Sequence, residues 1–371
     1  MRTRVRPTSG SVWTVASRPR QRAALWLAGH MPVPIPERDG RRAGVSRPAT
    51  WASILRVVAW ALVLVAAGGT ALRWVDAASS PVALVQSLTP YAAALVLLAL
   101  CGAFLPGPWR ARAMLAAACL LVLVVHAAIW VPWLTDEEPR AGTELTVMTV
   151  NLYVGRADPE AVVDEVRRQE ADILVLTEVS PGSMTELVQH GIDGPLPHAL
   201  PDPVPARGST IIRSRLPLTP LPPESGGSST LPVSESPVGM LAAASVGKDV
   251  VVRGVHPTHP VGRRVKLWRT GLDALTDAIG ETRGPMIVAG DFNASVDHPA
   301  MRQLMAPGLR DAHEVAGAGR PATWPRERGF APFVHIDHVL VRGVDVGSAT
   351  EVVIPGSDHE AVVARLVVPA D

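Results

Sequence analysis

The 371-residue chain carries 35 basic and 34 acidic side chains, is 47% apolar, and has only two cysteines, Cys101 and Cys119. Its long apolar runs exclude a chain that is disordered throughout. Its cysteine count excludes a disulfide framework or a cysteine zinc site in the C-terminal half. The near-neutral net charge averages two opposite regions. Residues 1–140 hold 15 Arg, no Lys and 6 acidic groups, a balance of +9, and residues 141–371 hold the other 20 basic and 28 acidic groups, a balance of −8. That split points to two environments along one chain, and it argues against a basic nucleic-acid-binding protein held by Lys and Arg contacts to phosphates.

Residues 1–50 contain ten Arg and no sustained apolar period, which reads as a disordered cytoplasmic tail. No apolar segment of signal-peptide length follows the first charges, and Met31 is a second candidate start. Three uncharged stretches come next. The first is 57–72, between Arg56 and Arg73. The second is the interval between Asp76 and Arg110, with a helix predicted near 82–105. The third is 113–135, ending in Trp130 and Trp133. Lengths near that of a bilayer span predict three transmembrane helices within 51–135, with the lipid bilayer as their partner. The Arg-rich tail and the Arg110/Arg112 turn fall on one side, and Asp76 and the Asp136-Glu137-Glu138 cluster on the other. The positive-inside rule then predicts a multi-pass cell-membrane protein with a cytoplasmic N-terminus and residues 141–371 outside. His126, the one titratable group within these spans, reads as a helix-packing residue.

Beyond Glu144 the pattern becomes that of an α/β domain. An apolar run at 145–150 precedes Asp158-Pro159-Glu160, an N-cap with proline in the first turn. Val162, Val163 and Val166 share one helical face, and 173–177 reads as a buried strand, so the order implies a βαβ unit. Residues 194–237 are rich in Pro, Gly and Ser and read as loops around one strand at 209–212. Further strands are predicted at 240–246, 250–255, 286–289, 339–341, 352–354 and 361–368, with a helix over 261–279. Two packed sheets with outer helices use all these pieces.

The informative feature is where the strands stop. The run 145–150 ends in Asn151, 173–177 in Glu178, 250–255 in His256, and 286–290 in Asp291-Phe292-Asn293. Ile336-Asp337-His338 leads into one strand and Gly356-Ser357-Asp358-His359 into the last. Each group alone is ordinary turn or packing chemistry; together they make a constellation on rigid strand ends. Oxygen ligands from Asn and carboxylates suit Mg²⁺ or Mn²⁺, and a histidine beside carboxylates suits acid–base work.

Met148-Thr149-Val150-Asn151-Leu152, Leu174-Val175-Leu176-Thr177-Glu178, Gly290-Asp291-Phe292-Asn293, Ile336-Asp337-His338 and Ser357-Asp358-His359 resemble, in order and spacing, the motifs of the endonuclease/exonuclease/phosphatase superfamily. The resemblance covers residues 145–368 and implies a four-layer α/β sandwich of two packed sheets with outer helices. It further implies that Glu178, assisted by Asn151 and Asp358, holds a Mg²⁺ ion, with Mn²⁺ as a substitute. His359 corresponds to the catalytic histidine oriented by Asp337. Asp291 and Asn293 correspond to the pair that activates water and contacts phosphate, and His256 to a histidine donating to the scissile phosphate. Asp291 and His359 are both expected to have a role in taking the water's proton. His335 departs from the Arg common before Ile-Asp, which is expected to alter substrate contacts, and Arg213 and Arg215 bracket Ser214 where relatives are more apolar. Trp324 reads as a packing residue rather than a cleft wall. Arg263, Arg264 and Arg269 read as a solvated helix face, with a phosphate-binding patch as the alternative.

The expected activity is metal-dependent hydrolysis of a phosphodiester, in nucleic acid or in a lipid head group, by a domain spanning 141–371; no obligate protein partner is expected. The alternatives are a phospholipid or phosphoinositide phosphoesterase and a non-catalytic surface binding module on the same fold. Metal-dependent turnover separates an enzyme from the module.

Overall fold

The computed structural model describes residues 51–370 apart from 203, 205–206, 222–241, 247–249 and 327–330. The basic tail, part of the 194–237 stretch and the first two residues of the strand expected at 240–246 lie outside the described residues. In chain order the elements are α1 (Trp51–Leu72), α2 (Ser80–Ser87), α3 (Ala92–Leu100), α4 (Trp109–Trp130), β1 (Gly142–Asn151), α5 (Pro159–Gln169), β2 (Ile173–Val179) and α6 (Pro181–Gln189). Next come β3 (His198–Leu200), β4 (Ser209–Ser214), β5 (Leu218–Pro220), β6 (Ala242–Val246), β7 (Val250–Val255), α7 (Val265–Glu281) and β8 (Met286–Asp291). The chain closes with α8 (Pro299–Met305), β9 (Arg310–Asp311), α9 (Ala312–Val315), β10 (Asp337–Arg342), β11 (Asp345–Val353) and β12 (Glu360–Pro369).

Two helices are long and apolar enough to cross a membrane, α1 and the segment Trp109–Leu134. The first extends through Arg56 to Trp51, so its 22 residues reach about 33 Å, more than the charge-free stretch alone provides. The predicted continuous helix at 82–105 is instead a pair, Ser80–Ser87 and Thr89–Phe104, bent by 49°. Pro90 explains the break, because it removes a backbone donor and its ring clashes with the preceding turn. These helices meet through small residues, among them Ala59, Ala66, Ala99, Ala103 and Cys119, while Leu64, Val65, Leu97, Leu98, Leu120 and Leu121 face outward. A Cβ on Gly102 would stand 2.6 Å from that of Ala59, so only glycine permits this approach.

Two βαβ units frame the rest. α5 joins β1 to its parallel neighbour β2, and α7 joins β7 to its parallel neighbour β8. The first sheet runs β11-β12-β1-β2-β4-β3 and the second β5-β6-β7-β8-β10-β9. Strand alternation sorts the side chains. Leu145 and Val147 of β1 enter the inter-sheet core with Val175, Val252, Ile287 and Val339. Met148 and Val150 point the other way, onto Val162 and Val166 of α5. On the second sheet, Trp268, Leu272, Leu275 and Ile279 of α7 cover Met286 and Val288 of β8. The layers are helix, sheet, sheet, helix. Each fully buried Leu or Ile in them contributes roughly 1.5–3 kcal/mol relative to exposure.

The parallel pairs set where the reactive groups gather. Strands sharing a direction end on the same edge, so Asn151, Glu178, His256 and Asp291 emerge together.

Candidate active site

Each reactive group reaches that edge through a local device. Asp158 caps α5 by accepting from the N–H groups of Glu160 at 3.0 Å and Ala161 at 3.3 Å, with Pro159 in the first turn. That cap fixes the return of the chain toward β2. Near its end β2 carries a bulge: Leu176 faces Ile211 but Val179 faces Ser209, three residues against two. Glu178 sits in the bulge with φ +56°, and the distortion turns its carboxylate toward Asn151 and His256. Asn293, at φ +49°, makes the turn after β8, where its N–H donates to Asp291 Oδ1 at 2.8 Å. Among the described non-glycine residues with positive φ, Tyr153, Val154, Glu178 and Asn293 all lie in the segments that follow or end these strands, and the fifth, Glu170, is a helix C-cap. Left-handed backbone of this kind clusters at one edge of the two sheets. Gly290 has its own reason: a Cβ there would lie 2.0 Å from the Val255 carbonyl oxygen, and its φ is +145°.

The eight residues expected at the site form one connected constellation. Asn151 Nδ2 donates to Asp291 Oδ2 at 3.0 Å and reaches Glu178 Oε1 and His359 Nε2, each at 3.5 Å. His256 Nε2 lies 3.7 Å from Glu178 Oε1 and 3.6 Å from Asp291 Oδ2. His359 Nδ1 is 2.8 Å from Asp337 Oδ2, and its Nε2 is 3.8 Å from both Asp291 Oδ2 and Asp358 Oδ1. Asn293 Nδ2 donates to the Pro257 carbonyl at 3.0 Å, tying the segment after β7 to the turn after β8.

Four carboxylates face two histidines here, and that excess sets the electrostatics. Burial pushes the Asp291 carboxyl up to about 6; Asp337 adds to the rise, while His359, His256 and the Asn293 N–H pull against it. Burial alone would depress the His359 imidazole, but Asp337, Asp291 and Asp358 together lift it to about 10. Burial also raises Asp358, opposed by His359 and by Trp324 Nε1, which donates to Asp358 Oδ2 at 3.3 Å. The result is two groups of separated proton affinity, Asp291 and His359, side by side at the strand ends.

Several details differ from the sequence reading. Asn151 enters through its nitrogen, because its Oδ1 accepts from the Tyr153 N–H at 2.9 Å. His335 is buried away from the rim, its ring 4.3 Å from that of His338, so it makes no substrate-facing substitution. Trp324 is only half-buried, and its ring stands 6.4 Å from His359, making it a wall of the site. Arg269 is engaged by Asp76, Asp273 and Gln303, and Arg264 by His259, so these two of the three arginines are already partnered within the protein. Arg213 is buried and binds Asp193 and the Leu196 carbonyl.

The structure adds two positioning residues that sequence reasoning missed. Ser357 Oγ donates to the Asn151 carbonyl at 2.7 Å and accepts from the His359 N–H at 3.0 Å, locking two motifs together. Thr323 Oγ1 accepts from the N–H groups of Ile336 and Asp337, each at 3.2 Å. Both residues stand inside or beside the motifs, where a hydroxyl able to close a turn was the available signal.

The sequence profile of the Endonuclease/Exonuclease/phosphatase family matches residues 148–359, more than half of the chain. The chain belongs to that family. Its members are divalent-metal-dependent phosphoesterases, and this chain is a hydrolase of that type. Among solved structures, the family protein from Beutenbergia cavernae is 23% identical over 60% of this chain and 71% of its own, with a TM-score of 0.42. D. rerio TDP2 complexed with single strand DNA product is 14% identical over 60% and 99%, with a TM-score of 0.46. Truncated Caenorhabditis elegans TDP2 is 18% identical over 60% and 98%, with a TM-score of 0.45. A comparison with curated protein sequences finds no match.

The donor set fits a divalent cation. Asp291, Asp337 and His359 bring ligand atoms within 4.8 Å of one another, and Glu178 and Asp358 add carboxylates on the solvent side. The raised proton affinities of Asp291 and Asp358 come first from burial, a cost that a bound cation would offset. Such an oxygen-rich set suits a hard cation better than a thiophilic one.

Proposed function

We propose that the chain is a membrane-tethered phosphodiester hydrolase, a nuclease or phosphodiesterase, whose domain 141–371 acts outside the cytoplasm. One observation carries this reading: a His359–Asp337 pair and a buried, proton-hungry Asp291 converge on an open carboxylate rim. Glu178 and Asp358 would hold Mg²⁺ or Mn²⁺, joined by Asn151 after a half-turn of its amide. When bound, the ion polarises the phosphate and offsets its charge.

The protein's own groups supply the rest. Asp291 accepts the proton of the attacking water, its raised affinity making it an effective base above about pH 6. His359 remains an imidazolium to about pH 10, so its Nε2–H can donate to the phosphoryl group where charge develops. Asp337 holds His359 through Nδ1 and keeps Nε2 aimed at the rim. Asn293 fixes Asp291 through its backbone and contributes an amide donor, and His256 adds a donor from the second sheet.

Residues 51–135 serve in this reading as a three-span anchor following a cytoplasmic tail of residues 1–50, with Thr89–Phe104 as the short middle span, since α2 hydrogen-bonds Gly262 and His298 of the domain placed outside. The outward-facing Leu and Val side chains of α1, α3 and α4 support contact with lipid. A second reading, hydrolysis of a phospholipid head group, is favoured by one contact. Tyr91, next to α3, donates at 2.8 Å to the Phe333 carbonyl, and the exposed Phe333 ring packs at 6.3 Å on Trp324 beside His359. The rim thus lies next to a segment read as membrane-embedded.

The test uses the full chain in detergent micelles with plasmid DNA and a phospholipid panel, Mg²⁺ or EDTA present, and His359→Ala alongside. Metal-dependent DNA cleavage lost in the variant supports the nuclease reading, and lipid cleavage alone supports the second. Turnover indifferent to metal and to His359 overturns both.

A further inference from the structure

β10 carries a second histidine–carboxylate cluster on its other face. Asp337 points toward His359, so strand alternation sends the next residue, His338, to the opposite side. There, Asp311, His335 and His338 bring ligand atoms within 4.8 Å of one another, and all three residues are buried. Neither ring nitrogen of His335 has a hydrogen-bond partner among the described residues, although the side chain is only 7% exposed. An unpaired polar group so deeply buried is costly unless something bonds to it.

His338 stands beside His335 with both ring nitrogens engaged. Its Nε2 lies 2.9 Å from the Ala294 carbonyl oxygen, which only an N–H can satisfy. Its Nδ1 lies 2.6 Å from Asp311 Oδ2. An imidazolium satisfies both contacts, Nε2–H donating to the Ala294 carbonyl and Nδ1–H to Asp311 Oδ2, and a bound metal ion would take the place of the Nδ1 proton. The N–H to a backbone carbonyl is the arrangement that fixes the tautomer of a metal-bound histidine. Asp311 is supported in the same way: its Oδ1 accepts from the His313 N–H at 2.9 Å, with His313 Nδ1 3.3 Å away.

We propose that Asp311, His335 and His338 form a structural transition-metal site, of the class filled by Zn²⁺, separate from the catalytic rim and on the opposite face of β10. Two imidazoles and one carboxylate suit Zn²⁺ or Co²⁺ rather than Mg²⁺. Ligands about 2.0–2.1 Å from a tetrahedral ion stand about 3.3 Å apart, so Asp311 and His338, now at 2.6 Å, would part slightly while His335 turns onto the ion. A metal here would clamp β9 to β10, the strand that begins with Asp337. It would also sit beneath Trp133, whose ring packs at 6.4 Å against His335 at the exit from the last apolar helix.

The test uses the full chain in detergent, without a polyhistidine tag, loaded with Zn²⁺ or Co²⁺ and dialysed against metal-free buffer. One equivalent of zinc is expected to stay with the wild type and with Glu178→Ala, which removes only a rim carboxylate. The Co²⁺ form should show the intense visible absorption of a four-coordinate ion. His335→Cys should keep the ion and add a thiolate-to-cobalt charge-transfer band, and His338→Phe should lower retained zinc at least tenfold. A wild-type protein that retains no zinc overturns the proposal, whatever the variants do. So does a cobalt spectrum untouched by His335→Cys, or zinc lost in Glu178→Ala while His338→Phe keeps it.

Discussion

The two faces of β10 hold the same chemical types and treat them oppositely. On one face, Asp337 and His359 join Asp291, Asp358 and Glu178 at a rim where Glu178, Asp358 and His256 keep 17–23% of their side-chain surface exposed. On the other, Asp311, His313 and His338 are wholly enclosed, with His335 nearly so. The rim carries more carboxylate than its histidines offset and is open to a charged ligand. The enclosed cluster is packed among rings, Phe292 at 5.5 Å from His338 and His313 at 5.1 Å from His335. Solvent access and charge excess, rather than residue identity, separate a reactive site from a structural one.

The largest expected difference between the faces is in turnover. His359→Ala should lower hydrolysis per folded molecule by about 10²–10⁴-fold, and it should also lower the melting temperature, because it strips buried Asp337 of its partner. Comparable activity in the two proteins would erase the contrast. The mirror experiment is His338→Ala, which strips a partner from buried Asp311 and should cost about 3–5 kcal/mol of stability. Its folded fraction, followed by thermal denaturation and rate per folded molecule, should lose less than tenfold in activity.

A smaller effect sharpens the rim's electrostatics. The rate should rise through about pH 6, as Asp291 becomes a carboxylate, and fall as His359 deprotonates near 10. Asp337 raises both groups by its charge and His359 also by a hydrogen bond, so Asp337→Asn should move both limbs to lower pH, the upper one further. A pH–rate profile checks both limbs. The least effect is expected at Trp324→Phe, which removes the donor to Asp358 Oδ2. Loss of one such bond, about 1 kcal/mol, should raise the metal concentration needed for half-activity roughly fivefold.

The sequence exposes the rim better than the enclosed cluster, for a physical reason. Reactive side chains at the ends of apolar runs interrupt a pattern, so Asn151, Glu178, His256, Asp291 and His359 stand out. β1, β7, β8 and β12 are legible as runs of Val, Ile, Leu and Ala, and the two βαβ crossovers place their ends on one edge. β3, β5 and β9 have two or three residues each and leave no periodic trace. α6 escapes the apolar pattern although Ser180-Pro181 is a helix start, and Ser180 and Ser183 close a capping box there. The bulge that turns Glu178 is a register shift between strands, which one strand's sequence does not carry. Nor does spacing reveal that His335 and Asp311 meet, since they are brought together by the pairing of β9 with β10. The apolar stretches predict three continuous helices, and Pro90, visible in the sequence, is where the middle one bends.

Metal-dependent hydrolysis built on the Asp337–His359 pair is tested most directly by kinetics of the full chain in detergent with a chromogenic aryl phosphodiester. EDTA-treated wild type and His359→Ala are titrated side by side with Mg²⁺ and Mn²⁺. The wild type should be silent without metal and regain saturable turnover on titration, while His359→Ala stays at least a hundredfold slower at every metal concentration. Metal-independent turnover, or a His359→Ala curve lying on that of the wild type, would contradict the assignment of the rim as the catalytic site.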